Sequence, residues 1–144
     1  MEPDIGGKLN IHANCVAIAG RGLLITGPSG SGKSTLSLEM MALGAALVAD
    51  DRTIVQAQDQ TLIATCPPAL NNMIEARGIG ILKAQNLESC KICAVLDLGQ
   101  TETLRLPLHR SVILLGISLP LLHKPQTGHF AAAILHYLRQ ERVS

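Results

Sequence analysis

The sequence has almost no aromatic residues. Its 144 residues include no tryptophan, and Phe130 and Tyr137 are the only phenylalanine and tyrosine. Single-stranded nucleic acids are usually bound by stacking bases on aromatic rings, so such a platform is essentially missing. The formal net charge of +1 gives no basic surface field to attract nucleic acid or an acidic membrane. The composition therefore argues against a nucleic-acid-binding protein.

The chain also lacks a hydrophobic run long enough to cross a bilayer. The longest run, from Val112 to Leu122, is too short and contains Pro120. Residues 1–4 show no basic and apolar pattern of a signal peptide, so we expect a cytoplasmic protein with no membrane association. A hydrophobic content of 47% over this length predicts one folded domain, residues 1–144, with a mainly aliphatic core.

What the sequence does contain is a glycine-rich motif. Residues 27–34 read Gly-Pro-Ser-Gly-Ser-Gly-Lys-Ser, the pattern of a phosphate-binding loop. In such a loop the glycines let backbone N–H groups turn toward a polyphosphate, the lysine reaches the outer phosphates and the last hydroxyl can ligate Mg²⁺. An apolar stretch precedes the motif and a helical pattern follows it, as the motif requires. The predicted nucleotide-binding residues are Gly27, Pro28, Ser29, Gly30, Ser31, Gly32, Lys33 and Ser34.

Around this loop the chain alternates between β-rich and helical segments. The hydrophobic patterns predict strands at 11–19, 22–26, 45–49, 90–98 and 111–117, a hairpin of 53–57 with 61–65, and helices at 35–43 and 128–142. Residues 69–74 are predicted to be irregular or helical. Because helical crossovers and a hairpin both occur, we expect an α/β fold with a mixed central sheet.

Two pairs of polar residues are candidates for chemistry. Asp50 and Asp51 follow a predicted buried strand, at the sheet edge where α/β proteins bind ligands. Adjacent side chains on a strand point to opposite sides, so one carboxylate can face the phosphates while the other has a structural role; the alternative is that both cap a turn. Glu75 and Arg77, if extended, share one face and can hold a metal and neutralise phosphate, although an exposed ion pair has the same spacing.

Other polar residues are less informative on their own. His12 and Arg105, taken singly, are more typical of structural or exposed positions. Cys90 and Cys93 form a Cys-x-x-Cys pair, but no second pair completes a zinc site. We interpret these cysteines as small apolar residues at the start of a strand.

The order and spacing of these segments resemble a known family. His12, the glycine-rich loop, Asp50-Asp51, Pro67-Pro68 and the segment 74–81, Ile-Glu-Ala-Arg-Gly-Ile-Gly-Ile, are similar to the catalytic domain of HPr kinase/phosphorylase. The resemblance covers about residues 11–82. It implies a protein-serine kinase that uses ATP and Mg²⁺ to phosphorylate a serine of the phosphocarrier protein HPr, with reverse phosphorolysis to pyrophosphate. It also implies a phosphate-loop fold shared with phosphoenolpyruvate carboxykinase, and a homo-oligomer, a hexamer in the family.

The resemblance implies roles for individual residues. Lys33 and the loop hold the ATP phosphates, and Ser34 and Glu75 bind Mg²⁺. Asp51 accepts the proton of the substrate serine, and His12 tunes Asp51. Asp50 and Arg77 are further site residues. The residues to which catalysis is assigned by the resemblance are His12, Lys33, Asp51 and Arg105.

The sequence departs from the family pattern in two places. The family's C-terminal loop usually reads Pro-Val-x-x-Gly-Arg-Asn, whereas residues 125–130 end in Gly-His-Phe, so a phosphate-holding arginine is missing and we expect weaker phosphorolysis. The chain begins at the catalytic domain, like the short form of the family.

Two alternative functions stay open. One is a small-molecule phosphoryl transferase, although the chain has few arginines for the lid of such an enzyme. The other is a non-catalytic ATP sensor.

Overall fold

Residues 7–143, which the computed structural model describes, form eleven β-strands, two α-helices and one 3₁₀ turn. The strands are β1 (Lys8–Ile11), β2 (Ala13–Ile18), β3 (Arg21–Thr26), β4 (Ala46–Ala49), β5 (Thr53–Gln58), β6 (Thr61–Thr65), β7 (Met73–Ala76), β8 (Gly80–Lys83), β9 (Ser89–Thr101), β10 (Arg110–Leu114) and β11 (Ile117–Lys124). The helices are α1 (Lys33–Ala42) and α2 (Ala131–Gln140), and the 3₁₀ turn spans Pro68–Leu70. The N-terminal residues examined for a signal peptide lie outside this range.

The long strand β9 organises a mixed, branched sheet. Along the path β1-β5-β6-β9-β3-β2-β4, β9 pairs antiparallel with β6 near its start and parallel with β3 in its middle. Toward its end β9 also pairs parallel with β11, which carries β10 as an antiparallel partner. Because β6 and β11 contact different stretches of β9, the sheet divides and curls there. The predicted α/β fold with a mixed sheet is confirmed.

Both faces of the central strands are buried. In β3, Leu23 and Ile25 point to the face covered by α1 and α2, whereas Leu24 points to the face enclosed by the curled strands. This explains why β2, β3 and β4 read as continuous apolar runs rather than alternating patterns. None of the helices within residues 7–143 is long and apolar enough to span a bilayer.

The hairpin and the C-terminal helix agree with the sequence predictions. β5 and β6 are joined through Asp59 and Gln60, whose φ angles of 49° and 65° are those of a tight hairpin turn. Helix α2 buries the predicted face, consisting of Ala131, Ile134, Leu135 and Leu138. It begins at Ala131 rather than at residue 128.

Two strand predictions were wrong in their boundaries. The segment 111–117 is not one strand, because the chain reverses at Leu115 and Gly116, with φ angles of 48° and 78°, and continues as β11. Apolar residues on both arms of this hairpin hide the turn from a hydrophobicity pattern. The predicted strand 11–19 is interrupted at His12, which separates β1 from β2.

The cysteines of the Cys-x-x-Cys pair have different neighbours. Both lie on β9, but the buried Cys90 thiol contacts Cys15 on β2, with 3.6 Å between the sulfur atoms. The hydrogen bond with Cys90, together with burial, raises the pKa of the Cys15 thiol well above its ordinary value. Cys15 is therefore a core residue whose thiol stays protonated near neutral pH.

The close contact between β3 and β9 depends on Gly22. A Cβ atom at this position would lie 2.5 Å from Cys90 Sγ and 2.7 Å from the Lys91 carbonyl oxygen. We therefore expect Gly22→Ala to lower the free energy of unfolding by about 1–3 kcal/mol, because the backbone of β9 has to move. Urea denaturation would measure the change.

Gly128→Ala is the matched control for this substitution. A Cβ atom at Gly128 meets no atom within 4 Å, so its effect on stability should stay within about 1 kcal/mol. Equal stabilities of the Gly22 and Gly128 variants would contradict the packing argument.

Candidate active site

The glycine-rich loop turns directly into helix α1. Its conformation needs glycine, because Gly30 and Gly32 have φ angles of 83° and 101°, which other residues rarely adopt. Gly32 precedes the first helical residue, Lys33, so the free N–H groups of the first turn of α1 face the loop. The positive end of the helix dipole and these donors make the loop suitable for an anion.

Lys33 is held against the loop it follows. Its Nζ donates hydrogen bonds to the carbonyl oxygens of Gly27 and Pro28, at 2.9 and 3.2 Å. Burial lowers the pKa of Lys33, while the nearby Asp51 and Asp50 carboxylates act in the opposite direction. The loop thus presents one positively charged group beside two carboxylates.

A cavity of about 300 Å³ collects most of the predicted site residues. Its walls come from the loop and the start of α1, from β7, and from residues that follow β1, β4 and β7. The lining residues are His12, Ser29, Gly30, Gly32, Lys33, Ser34, Thr35, Asp51, Glu75 and Arg77. Residues from four separate parts of the chain are therefore brought to one side of the glycine-rich loop.

Asp50 lies behind this cavity and acts as a structural anchor. The residue is only 8% exposed. Its Oδ1 accepts hydrogen bonds from Ser34 Oγ at 2.6 Å and from Asn14 Nδ2 at 2.7 Å, and its Oδ2 accepts one from the Glu75 backbone N–H at 2.9 Å. Several donors compensate the burial of this carboxylate. Asp50 therefore ties the loop, β2 and β7 together.

Asp51, in contrast, projects into the cavity. Its side chain is 63% exposed, and its Oδ1 lies 3.0 Å from His12 Nε2. Its φ angle of 70° lies in the left-handed region, which is uncommon for residues other than glycine although aspartate and asparagine adopt it more often than most. The two aspartates thus differ in placement, one facing the cavity and the other buried, and the functional roles assigned to them stay predictions.

Asn14 joins the two aspartates, and the sequence analysis missed it. The side chain is fully buried on β2. Its Nδ2 donates to Asp50 and to Ser37 Oγ, while its Oδ1 accepts the backbone N–H of Asp51 at 2.9 Å. The last bond helps to hold the strained backbone of Asp51. A polar residue between Ala13 and Cys15 in a buried strand is the signal that could have revealed it.

Ser34 and Glu75 have the chemistry of magnesium ligands. Both line the cavity, and Mg²⁺ prefers oxygen donors such as a hydroxyl and a carboxylate. The Glu75 carboxylate makes no hydrogen bond or ion pair with another residue of the range 7–143, so it is available to a cation. Ser34 and Glu75 therefore fit a divalent cation. The Ser34 hydroxyl also donates a hydrogen bond to Asp50, which lies behind it.

Arg77 lies next to the loop as a second cation. A Cβ atom built on Gly30 would be 3.9 Å from the Arg77 guanidinium nitrogens. Together with Lys33, Arg77 gives the cavity two positive groups on the side of the loop, where they can neutralise an anion with several charges.

Arg105 does not reach this cavity. It lies on the connection between β9 and β10 and lines a separate cavity of about 510 Å³. That connection is anchored by Glu102, which accepts hydrogen bonds from the Arg110 guanidinium and from two backbone N–H groups. The hydrogen bond from Arg110 lowers the pKa of the Glu102 carboxyl. A catalytic role of Arg105 therefore stays a prediction from the resemblance.

The fold and the site define an α/β protein with a glycine-rich loop that shares a cavity with an aspartate–histidine pair. The family model described as HPr Serine kinase C-terminal domain matches residues 4–94. The match covers more than half of the chain, and the chain therefore belongs to this family.

Curated relatives and a solved structure agree with this assignment. The chain is 46% identical over 88 residues to HPr kinase/phosphorylase of Lactiplantibacillus plantarum, and the match covers 60% of this chain and 28% of that protein. It is 48% identical over 81 residues to the protein of the same name from Limosilactobacillus reuteri, covering 56% of this chain and 25% of that one. The chain thus spans well under half the length of these relatives.

The structural match extends over almost the whole chain. The Hpr(Ser) kinase/phosphatase from Coxiella burnetii superposes with a TM-score of 0.79 and 28% sequence identity, covering 93% of this chain and 96% of that structure. The likeness therefore extends well beyond residue 94, where the matched family segment ends.

Removing the Asn14 amide should destabilise the protein. Asn14→Ala removes one of the donors to the buried Asp50 carboxylate and the donor to the buried Ser37 hydroxyl, so we expect a loss of about 1–3 kcal/mol in the free energy of unfolding. Thermal or urea denaturation measures this loss. The control Asn10→Ala, at an exposed position of β1, should change it by less than about 0.5 kcal/mol. Equal effects of the two variants would show that the Asn14 hydrogen bonds contribute little.

Proposed function

We propose that this protein transfers the γ-phosphoryl group of ATP to a serine of the phosphocarrier protein HPr. The observation that carries the proposal is the meeting of the Asp51–His12 pair and the Lys33 loop in one cavity. Family membership supports the same conclusion, since the relatives are named HPr kinase/phosphorylase. On this view the fold is a phosphate-loop fold related to that of phosphoenolpyruvate carboxykinase.

The loop and its lysine serve the phosphate chain. Backbone N–H groups at the start of α1 and the Lys33 ammonium offset the charge of the β- and γ-phosphates, and Arg77 adds a second cation at the loop. Ser34 and Glu75 would hold Mg²⁺, which neutralises phosphate charge when bound. These groups favour phosphoryl transfer by positioning and electrostatics rather than by covalent chemistry.

Asp51 serves the acceptor. The serine hydroxyl oxygen attacks the γ-phosphorus, and the exposed Asp51 carboxylate takes the hydroxyl proton. His12, 3.0 Å from Asp51 Oδ1, orients this carboxylate. In the reverse direction the protonated Asp51 returns its proton to the serine oxygen as inorganic phosphate attacks the phosphoserine, and pyrophosphate is released.

The cellular location, the regulatory role and the assembly of the protein belong to the same proposal. We assign the protein to the bacterial cytoplasm, to the regulation of carbohydrate uptake through HPr, and to a homo-oligomer, the hexamer of the resembling family. The proposal assigns the whole activity of the relatives to a chain whose match covers 28% of the Lactiplantibacillus plantarum protein. An assay of phosphoryl transfer to HPr tests the proposal directly.

Replacing Asp51 should separate binding from transfer. Asp51→Asn keeps the size of the side chain but removes the proton acceptor, so phosphorylation of HPr by Mg-ATP should fall about 10²–10⁴-fold while the ATP dissociation constant stays near that of the wild type. Radiolabelled phosphate on HPr measures transfer and calorimetry measures binding.

Asp59→Asn is the matched control for this experiment. Asp59 is an exposed aspartate in the β5–β6 turn and lines none of the described cavities, so its replacement should leave both quantities unchanged. Full transfer by the Asp51 variant would remove Asp51 as proton acceptor. A wild type that binds ATP but transfers nothing to HPr would favour the alternative of an ATP sensor.

Phosphorolysis should be the weaker activity. Residue 129 is histidine where the family pattern has arginine, and arginine binds phosphate through two parallel hydrogen bonds. We expect little pyrophosphate from phosphorylated HPr and inorganic phosphate, and an increase in His129→Arg, measured by a coupled pyrophosphate assay. The exposed position of His129 makes this substitution tolerable for the fold. Rapid pyrophosphate release by the wild type would contradict the prediction.

A further inference from the structure

We propose that a second cavity, between α1 and residues 124–130, binds the base and ribose of the nucleotide. This cavity has a volume of about 600 Å³ and is lined by parts of α1, the end of β9 and the segment that leads into α2. We refer to it as the nucleoside cavity. The proposal rests on the proposed function, because it needs a nucleotide whose phosphates lie on the glycine-rich loop.

The cavity that contains Lys33, Asp51 and Glu75, which we call the phosphate cavity, cannot accept the nucleoside together with the phosphates. Its volume of about 300 Å³ is at the lower limit for a small-molecule site. No aliphatic or aromatic side chain lines it, whereas lysine, arginine, aspartate, glutamate and histidine side chains all do. Such a lining suits phosphates and a cation. A base, which is bound mainly by apolar surface, has to lie outside it.

Two neighbouring cavities adjoin the phosphate cavity at different points. The nucleoside cavity shares Gly32 and Thr35 with it, at the start of α1. Another cavity, of about 470 Å³ between β1 and β10, shares His12. The acceptor end of the phosphate chain is marked by Asp51 and His12, so the β1–β10 cavity lies on the acceptor side. The nucleoside is attached to the opposite end of the phosphate chain. Of the two neighbouring cavities, the nucleoside cavity is the one lined by neither His12 nor Asp51.

The chemistry of the nucleoside cavity suits a base and a ribose. Leu36, Leu98 and Phe130 provide apolar surface, and Leu36 and Leu98 are themselves anchored as buried members of the helix-side core. The hydroxyls of Thr101 and Thr127 supply donors and acceptors at its edge. Apolar walls with a few polar groups are the usual composition of a small-molecule site.

This placement also gives a function to residues that the family match leaves out. Leu98, Thr101, Thr127 and Phe130 all lie after residue 94, where the matched family segment ends. The preference for the base is therefore set by the C-terminal part of this chain, while the phosphate loop recognises only the part common to all nucleotides.

Gly128→Trp tests the nucleoside cavity. A Cβ atom at Gly128 has no neighbour within 4 Å, so the indole ring can enter the open space beside the segment 124–130 without a backbone clash. The probes are Mg-ATP and Mg-tripolyphosphate, which has the phosphates but no nucleoside, and calorimetry gives both dissociation constants. We expect ATP to bind about tenfold or more weakly, and tripolyphosphate to bind within about twofold of the wild type.

Ile113→Trp is the control, because it adds the same side chain at an exposed position of β10 that lines none of the described cavities. It should leave both dissociation constants unchanged. Equal weakening of ATP and tripolyphosphate by Gly128→Trp, or no weakening of either, overturns the proposal. It is also overturned if the wild type binds ATP no more tightly than tripolyphosphate.

Photolabelling of the wild-type protein makes the test independent of the folding of that variant. With 8-azido-ATP, cross-links mapped by mass spectrometry should fall within residues 98–101 or 124–130. Cross-links within residues 112–121 would place the base in the acceptor-side cavity and overturn the proposal. A failure of transfer to HPr with these binding results intact would refute the proposed kinase function and leave the nucleoside cavity standing.

Discussion

The buried carboxylate of Asp50 is the contact on which the rest of the site depends. It accepts hydrogen bonds from Ser34 at the end of the loop, from Asn14 on β2 and from the backbone N–H of Glu75 on β7. A carboxylate this buried is stable only when its charge is met by donors, so loss of one donor disturbs all the segments that it joins. The distance between the glycine-rich loop and the candidate metal ligand Glu75 is therefore set by a residue that does not line the cavity.

The neighbouring Asp51 is held by the same cluster but faces the cavity. Its left-handed backbone turns the side chain away from the core and toward His12, and the Asn14 side-chain oxygen holds its N–H. Strain at a residue of this kind is tolerated where the surroundings over-determine it. Both aspartates follow the end of β4 at Ala49, and they differ in burial because only Asp51 has the left-handed backbone that turns its side chain out of the core.

The topology explains why ligand-facing residues gather on one side of the loop. β3 delivers the loop from the centre of the sheet, β2 and β4 lie beside it, and β9 supports it on the other side through the parallel pair with β3. Two further cavities flank the phosphate cavity, one at His12 and one at the start of α1. In the proposed reaction, the phosphate donor and the protein acceptor would approach from these different directions.

The sequence by itself determined the local features: the loop of residues 27–34, the helix after it, the β5–β6 hairpin, the face of α2 and the family to which the chain belongs. The structural features follow from short-range chemistry, since glycine positions, capping and hydrophobic periodicity act within a few residues, whereas the family follows from the order and spacing of motifs along the chain. Only the tertiary structure decided that Asp50 is buried while Asp51 is exposed, that Asn14 links them, that residues 111–124 form a hairpin and that Arg105 lies outside the cavity. Each of these depends on which strands become neighbours, and contacts between residues distant in sequence leave no local pattern.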